Sequence, residues 1–305
     1  MRPGTFDDIP AAAALRASAV TDAIITPEGM STWLSGLPDE ACLFLLTAEM
    51  EGAPVGWCNA WRNTFGNDQG VGTLDVIVAP GHQRQGIGAR LVTLGLQRLD
   101  GLDGIGIHTV RGSSTDSPGP RALAARFGFV EGHASSTSAV DPRTVEPLPV
   151  PEGVTLRSFG EIGDPRPLYE LDLEVSRDIP GDENFDSMTL EQWSANFWHN
   201  VFADDDASLA AYVDGELAAV TMLRMDRPSH RAQNNLTGTR RAYRGRGLAR
   251  LLKTHSLHRA AHAGATVAFT DNDETNAAML AVNRGLGYRH SSRRIEWERF
   301  TVLSA

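Results

Sequence analysis

Apolar and polar residues along this chain follow two different periods, and the switch from one to the other marks the elements. In the first half, an Ala-rich stretch around residues 11–20 reads as a helix. A second short helix follows Thr26-Pro27, with Pro27 suited to the first helical position and Trp33 and Leu37 available for packing. Residues 42–50 and 55–61 read as a strand pair joined at Glu51-Gly52-Ala53-Pro54, and Trp57 and Trp61 alternate onto one face of the second strand. Residues 71–78 give the next strand, 86–99 a helix and 105–110 another strand; a loop over 114–120 leads to a short helix at 121–126, Phe129 and a polar final strand. No first strand is readable ahead of residue 11, so the first domain is expected to be trimmed.

Residues 141–153, Asp-Pro-Arg-Thr-Val-Glu-Pro-Leu-Pro-Val-Pro-Glu-Gly, favour a stiff extended connection. The expected division is a domain over 1–141, a Pro-rich linker over 142–153 and a second domain over 154–305. In the second domain, residues 154–157 give a strand and 167–177 a helix with Leu168, Leu171 and Val175 on one face. A helix over 190–199 offers Trp193, Phe197 and Trp198 to a core. Strands over 209–213 and 217–225 flank Asp214-Gly215-Glu216, and 235–239, 267–270 and 294–302 complete a sheet. The fold class is therefore mixed α/β (α+β): two tandem domains, each a mixed, largely antiparallel sheet flanked by helices.

The candidate chemistry concentrates in residues 239–253. A strand end is followed by Arg240, Arg241, Arg244 and Arg246 around Gly245 and Gly247, and then by a helix with Leu248, Leu251 and Leu252 on its apolar side. Glycines let a backbone approach a ligand closely, and the unpaired N–H groups of a first helical turn point at whatever lies in front of them. Arginines at a helix N-terminus oppose the helix dipole unless an anion compensates them, so the turn suits a pyrophosphate; a solvated basic turn is the plainer reading. Residues 74–91 repeat the order, with Gln83 at the place of Arg244, Gly86 at that of Gly247 and Gly88 at that of Ala249.

Both stretches resemble the acetyl-CoA-binding motif of the GNAT N-acyltransferases: Arg or Gln, two free positions, Gly, one free position, then Gly or Ala. Thr270-Asp271-Asn272, Asn276 and the Leu286-Gly287-Tyr288 ending resemble the next strand and helix of such domains, and Phe127-Gly128-Phe129 is the matching ending in the first copy. Read as two copies, the resemblance covers nearly the whole chain and extends to the tandem arrangement of mycothiol synthase-like and other actinobacterial acetyltransferases. It implies acetyl-CoA as cosubstrate, held in the second copy by Thr237, Thr239, Arg244, Gly245, Arg246, Gly247, Leu248, Ala249 and Asn276, and in the first by Gln83, Gly86 and Gly88. It also implies direct acyl transfer to a small-molecule primary amine, with main-chain N–H groups near Thr237 and Thr239 polarising the thioester carbonyl. Because the first copy has Ser117-Pro118-Gly119-Pro120 where the second has Asn276, the active site is expected in the second.

Many members of that superfamily carry a Tyr one turn before the final Gly-aromatic pair to protonate the thiolate; this chain has Asn283 there, and Ala124 in the first copy. Tyr288 is the alternative acid, or a packed aromatic, and solvent is a third proton source. For the base, Glu170, Asp172, Glu174, Asp178, Asp182, Glu183, Asp186 and Glu191 crowd the segment that helps form acceptor pockets in the superfamily, with Glu174 and Asp178 the chosen pair. A solubilising face explains the same cluster equally well. Asp271 and Asp273 lie near the thioester end of a strand or serve as helix caps.

Bulk composition narrows the picture. A net charge of -10 argues against nucleic acid as partner, and 41% hydrophobic residues supply a core for each domain. No apolar run reaches a membrane span and residues 1–4 lack a signal-peptide core, which predicts a cytoplasmic protein with no membrane partner. Cys42 and Cys58 read as buried thiols, no Gly-x-Ser-x-Gly elbow occurs, and His255, His258 and His262 do not make a metal signature, so no metal is expected. A non-catalytic acyl-CoA sensor is the competing function.

Overall fold

The computed structural model describes residues 1–102, 106–180 and 188–301. The chain forms two compact units, residues 1–134 with 293–305, and residues 135–292. In the first unit, the two-residue strand β1 (Arg2–Pro3) pairs antiparallel with β2 (Phe44–Met50). This corrects the expectation of a missing first strand: two residues are too few to leave a periodic signal. Helix α1 (Ile9–Ala19) is followed by α2 (Pro27–Ser35), whose start is fixed by Pro27 and by the Gly29 N–H donating to Thr26 Oγ1 at 3.1 Å. β3 (Ala53–Arg62), β4 (Val71–Val78), α3 (Ile87–Asp100), β5 (Thr109–Thr115), α4 (Pro118–Arg126) and the start of β6 (Val130–Val140) follow. Glu51 and Gly52 both take positive φ, as a two-residue hairpin turn matched to strand twist requires. On one sheet face Leu46 and Leu74 pack against Leu91 and Leu96 of α3, and on the other Leu45 and Trp57 pack against Ile9 of α1 and Leu34 of α2.

The second unit repeats the plan. It holds the remainder of β6, then β7 (Val154–Ser158), α5 (Arg166–Ser176) and α6 (Leu190–Trp193), which runs on as one π-helical turn over Ser194–Trp198. β8 (Leu209–Val213) and β9 (Glu216–Asp226) turn at Asp214-Gly215, again with both φ positive. β10 (Arg231–Thr239), α7 (Leu248–His262), β11 (Val267–Asp273), α8 (Ala277–Gly285) and the start of β12 (Arg289–Phe300) complete it. Its strands run in the order β6-β11-β10-β9-β8-β7, with β10 and β11 parallel and the other neighbours antiparallel.

The units do not coincide with the two sequence copies. β5 of the first unit is flanked by residues 294–300 of β12, from the end of the chain, whereas β11 of the second is flanked by residues 135–140 of β6. Each copy thus lends its closing strand to the unit built mainly from the other, which hydrophobic periodicity cannot register because β6 and β12 look alike as strands. Residues 142–153 belong to the second unit. Pro142–Thr144 forms a 3-10 turn, Val145 is buried beside Leu257 and Ala260, and the Leu148 N–H donates to Thr254 Oγ1 at 3.2 Å. The segment expected to be a stiff extended connection is fastened along α7.

Candidate functional site

The site begins with a break in strand pairing. β10 and β11 pair only from Arg231↔Val267 to Asn234↔Thr270. Beyond Asn234 the register of β10 on β9 shifts, leaving Asn235 as an extra bulged residue, and β10 runs on to Thr239 along β9 while β11 runs on to Asp273 along β6. The two central strands therefore separate, and the bulge bends β10 at the point where they part.

β10 ends in the turn that the sequence singled out. Arg241–Tyr243 makes one 3-10 turn, Gly245 and Gly247 both sit at φ 77°, and α7 starts at Leu248. A Cβ at either glycine would meet nothing within 4 Å, so backbone conformation, rather than crowding, calls for glycine. Arg244 Nε donates to the Thr239 carbonyl at 3.0 Å, tying the turn to the strand end. No side chain caps α7, which leaves its first N–H groups available to an acceptor. The first unit builds the same turn: Pro80–His82 is 3-10, Arg84 (φ 62°) stands at the Gly245 place, Gly86 has φ 84°, and Gln83 Nε2 donates to the Val78 carbonyl at 3.2 Å. Gln83 and Arg244 thus hold their turns in shape. Gly88 lies in ordinary contact distance of Leu123 and Val78, which gives it a packing role.

Charge around the second turn is partly spent. Asp178 accepts from Arg241 Nε at 3.0 Å and from Arg244 Nη2 at 2.5 Å, and these guanidinium hydrogen bonds hold its carboxyl well below the usual range. Glu174 lies 3.5 Å from Arg240 Nε, and the Arg246 guanidinium covers the Tyr243 ring at 5.2 Å. Two buried side-chain oxygens near the parting strands, Thr239 Oγ1 and Asn283 Oδ1, have no hydrogen-bond partner among the described residues. Orphaned groups of this kind cost free energy unless a ligand or water meets them.

Several expected roles change. Asp178, chosen as a base, is committed to two arginines of the turn; a carboxylate held that strongly in its ionised form is a poor proton acceptor near neutrality. Tyr288, the alternative acid, is buried among Val140, Leu257, Ala260 and Leu286; burial raises its phenol pKa, and its hydroxyl has no partner among the described residues, so it is a core residue. Asn283 is also buried, and its Nδ2 donates to Asn272 Oδ1 at 2.6 Å, tying α8 to β11. Asn276 caps α8, accepting from the Met279 N–H at 3.2 Å, and Asp273 accepts from the Thr275 N–H at 2.7 Å. Asp172 accepts from Trp193 Nε1 at 2.5 Å and joins α5 to α6; burial raises its carboxyl. Asp182, Glu183 and Asp186 lie outside the described residues.

A polar network behind the bulge is absent from the sequence-based expectations. Lys253, fully buried on α7, donates from Nζ to Asn234 Oδ1 at 2.7 Å. Thr237 Oγ1 donates to the same oxygen at 2.9 Å and lies 2.8 Å from Thr221 Oγ1, which accepts from Asn234 Nδ2 at 2.8 Å. Burial pushes Lys253 down to about 7. The available signal was compositional: Lys253 is the single lysine beside 27 arginines. Along α3 of the first unit, a cleft of about 480 Å³ is lined by Gly86, Ala89, Arg90, Thr93 and Arg126 among others. Among the described residues no helix is long and apolar enough to cross a membrane, and no group of three or more His, Cys, Asp or Glu side chains is placed to hold a metal ion.

In each unit a strand end leads through a Gly-bearing turn into an uncapped helix, a tandem arrangement of one α/β fold. The sequence profile of the Acetyltransferase (GNAT) family matches residues 18–129 and again 168–288, and the chain belongs to that family. It is 26% identical over 263 residues to a mycothiol acetyltransferase of Amycolatopsis mediterranei (strain U-32), covering 83% of each chain. It is 25% identical over 230 residues to a mycothiol acetyltransferase of a Nocardioides species, covering 72% of this chain and 77% of the other. Among solved structures, it is similar to a tandem GNAT protein from the clavulanic acid biosynthesis pathway, with a TM-score of 0.78, 21% identity, and 99% and 98% of the two chains covered. A GCN5-related N-acetyltransferase from Sphaerobacter thermophilus gives a TM-score of 0.73 at 20% identity, covering 98% of this chain and 94% of the other.

Proposed function

We propose that the second unit is an acetyl-CoA-dependent N-acetyltransferase acting on a small-molecule primary amine, and that the first unit supports it with a turn of the same shape. The observation that carries this reading is the bulge at Asn235, where β10 leaves β11 and runs into the turn at Gly245 and Gly247. The residues present fit an acyl-CoA: uncapped N–H groups of α7 and the Arg246 guanidinium suit a pyrophosphate, and Thr239 Oγ1, without a hydrogen-bond partner among the described residues, borders the place where an acyl arm would enter. When bound, acetyl-CoA supplies a thioester carbonyl open to attack by a neutral amine. The chain's part is to aim main-chain N–H groups near Thr237 and Thr239 at that carbonyl and to keep the amine in place. With Asp178 engaged and Tyr288 buried, Glu174, 3.5 Å from Arg240 Nε and with its side chain 40% exposed, is the candidate base that remains, and solvent supplies the other proton transfers.

Incubating the protein with acetyl-CoA and an amine library, and reading product masses, tests the reaction. Acetylated amines whose formation stops in Gly247→Trp support the reading; acetyl-CoA binding without transfer to any amine favours a non-catalytic acyl-CoA sensor, for which the burial of Tyr288 speaks. Failure to bind acetyl-CoA at all refutes both.

A further inference from the structure

A lysine ammonium is costly to bury, yet the one lysine of this chain has no solvent contact of consequence and reaches, among the described residues, a single hydrogen-bond acceptor, Asn234 Oδ1, with the Tyr288 ring 5.2 Å from Nζ. Its place explains what the cost secures. An ammonium only donates, so Asn234 must turn Oδ1 toward it, and Nδ2 then points to Thr221 Oγ1 (2.8 Å) and the Met222 carbonyl (3.1 Å). The same Oδ1 receives the Thr237 hydroxyl. Asn234 and Thr237 stand on either side of the bulged residue, so the network clamps the bulge from behind and links it to the helix that begins at the Gly247 turn.

The first unit supplies an independent contrast. Counted from Gly86 and Gly247, Val92 stands at the Lys253 place and Val76 at the Thr237 place; allowing for the extra residue of the bulge, Leu74 replaces Asn234, and Cys58, opposite Val76, replaces Thr221. All four are apolar members of, or neighbours to, one core cluster, and β4 pairs with β3 from Gly72 to Val78 without a register shift. Network and bulge occur together in one unit and are missing together from the other.

We propose that Lys253 is a positioning residue for the acyl end of an acyl-CoA: by holding Asn234 and, through it, Thr237, it fixes the bulged segment of β10 that borders the opening between β10 and β11. This rests on the acyltransferase reading of the second unit. It assigns to Lys253 no contact with the pyrophosphate, so its loss disturbs the thioester and spares binding of the rest of the cofactor.

The test uses the full chain with CoA and [1-¹³C]acetyl-CoA. Calorimetric titration is expected to give CoA affinities within threefold for wild type and Lys253→Met. The bound thioester carbonyl resonance is expected to move away from its free position in wild type and to fall back toward it in Lys253→Met and in Asn234→Leu. A merely structural lysine would change melting temperature and leave that resonance in place. Should the variants fail to fold, wild type grown with labelled lysine gives a single side-chain resonance, expected to shift when acetyl-CoA replaces CoA. An identical carbonyl resonance in wild type and Lys253→Met, or a lysine resonance indifferent to the acetyl group, overturns the proposal alone. A wild-type protein that binds neither CoA nor acetyl-CoA overturns the acyltransferase reading and this proposal with it.

Discussion

Behind the turn of the first unit lie Cys58, Leu74, Val76 and Val92; behind that of the second lie Thr221, Asn234, Thr237 and Lys253. The turns themselves are nearly interchangeable, down to a left-handed residue before each glycine-started helix and a side chain anchored on the last strand carbonyl. The difference teaches that the backbone of the turn and the polar network beneath its strand are separable. The former depends on a few torsion angles, whereas the latter depends on what the sheet can hold underneath. Parting of the central strands is common to both units, since β4 pairs with β5 only from Val71↔Thr109 to Thr73↔Arg111 before each runs on along its other neighbour; the second unit differs in the bulge and in the polar network beneath it.

The sharpest way to break this comparison is to move the lysine. Val92→Lys would bury an ammonium with Leu74, rather than an amide, at the place of its acceptor, and should cost about 3 kcal/mol or more, read from the urea midpoint. The reverse change should stabilise. Lys253→Met removes a group whose charged form the fold disfavours, for a gain of about 1–4 kcal/mol. Because burial lowers this lysine to about 7 from an unfolded value of roughly 10.4, the penalty in wild type is fully present below pH ~7 and fades as pH rises toward ~10.4. The advantage of Lys253→Met should therefore be largest at pH 6 and vanish above pH ~10.5, in melting temperatures measured side by side.

Smaller effects concern the turns. Gly247→Trp forces a bulky residue into a left-handed position in front of the α7 N-terminus and should weaken CoA binding at least tenfold, or about 1.4 kcal/mol, by calorimetry. Gly86→Trp should leave the principal titration unchanged; equal loss from either change would erase the asymmetry. Smallest is Asp178→Asn, which frees Arg241 and Arg244 and should tighten CoA binding about two- to threefold at low salt, an effect that screening removes. If Asp178 were the base instead, this change would abolish the alkaline rise in turnover with little effect on CoA affinity.

Much of this arrangement was readable beforehand because it is written in local pattern. β4 and β8 have the expected limits, and both turns announce themselves through glycines and a repeated Gln or Arg. What escaped depends on contacts between distant positions. Asn235 looks like any strand residue until its pairing with β9 is known, and Lys253 sits among leucines on a helix whose charged positions are usually solvated. Asp178 was legible as part of an acidic segment, but its choice of Arg241 and Arg244, some sixty residues on, was not. Tyr288 followed a motif ending and proved to face the interior because α8 delivers it there.

The strand that closes the first unit has a consequence for synthesis. Residues 294–300 pair with β5, so when the ribosome has finished residue 134 the first unit still lacks its last strand, and at ~5–20 residues per second roughly ten seconds or more pass before that strand is made. During that interval β5 presents an open edge. Nascent chains of this protein therefore should remain sensitive to protease at the first unit until residues 294–300 have been made and paired, although most of that unit is synthesised first.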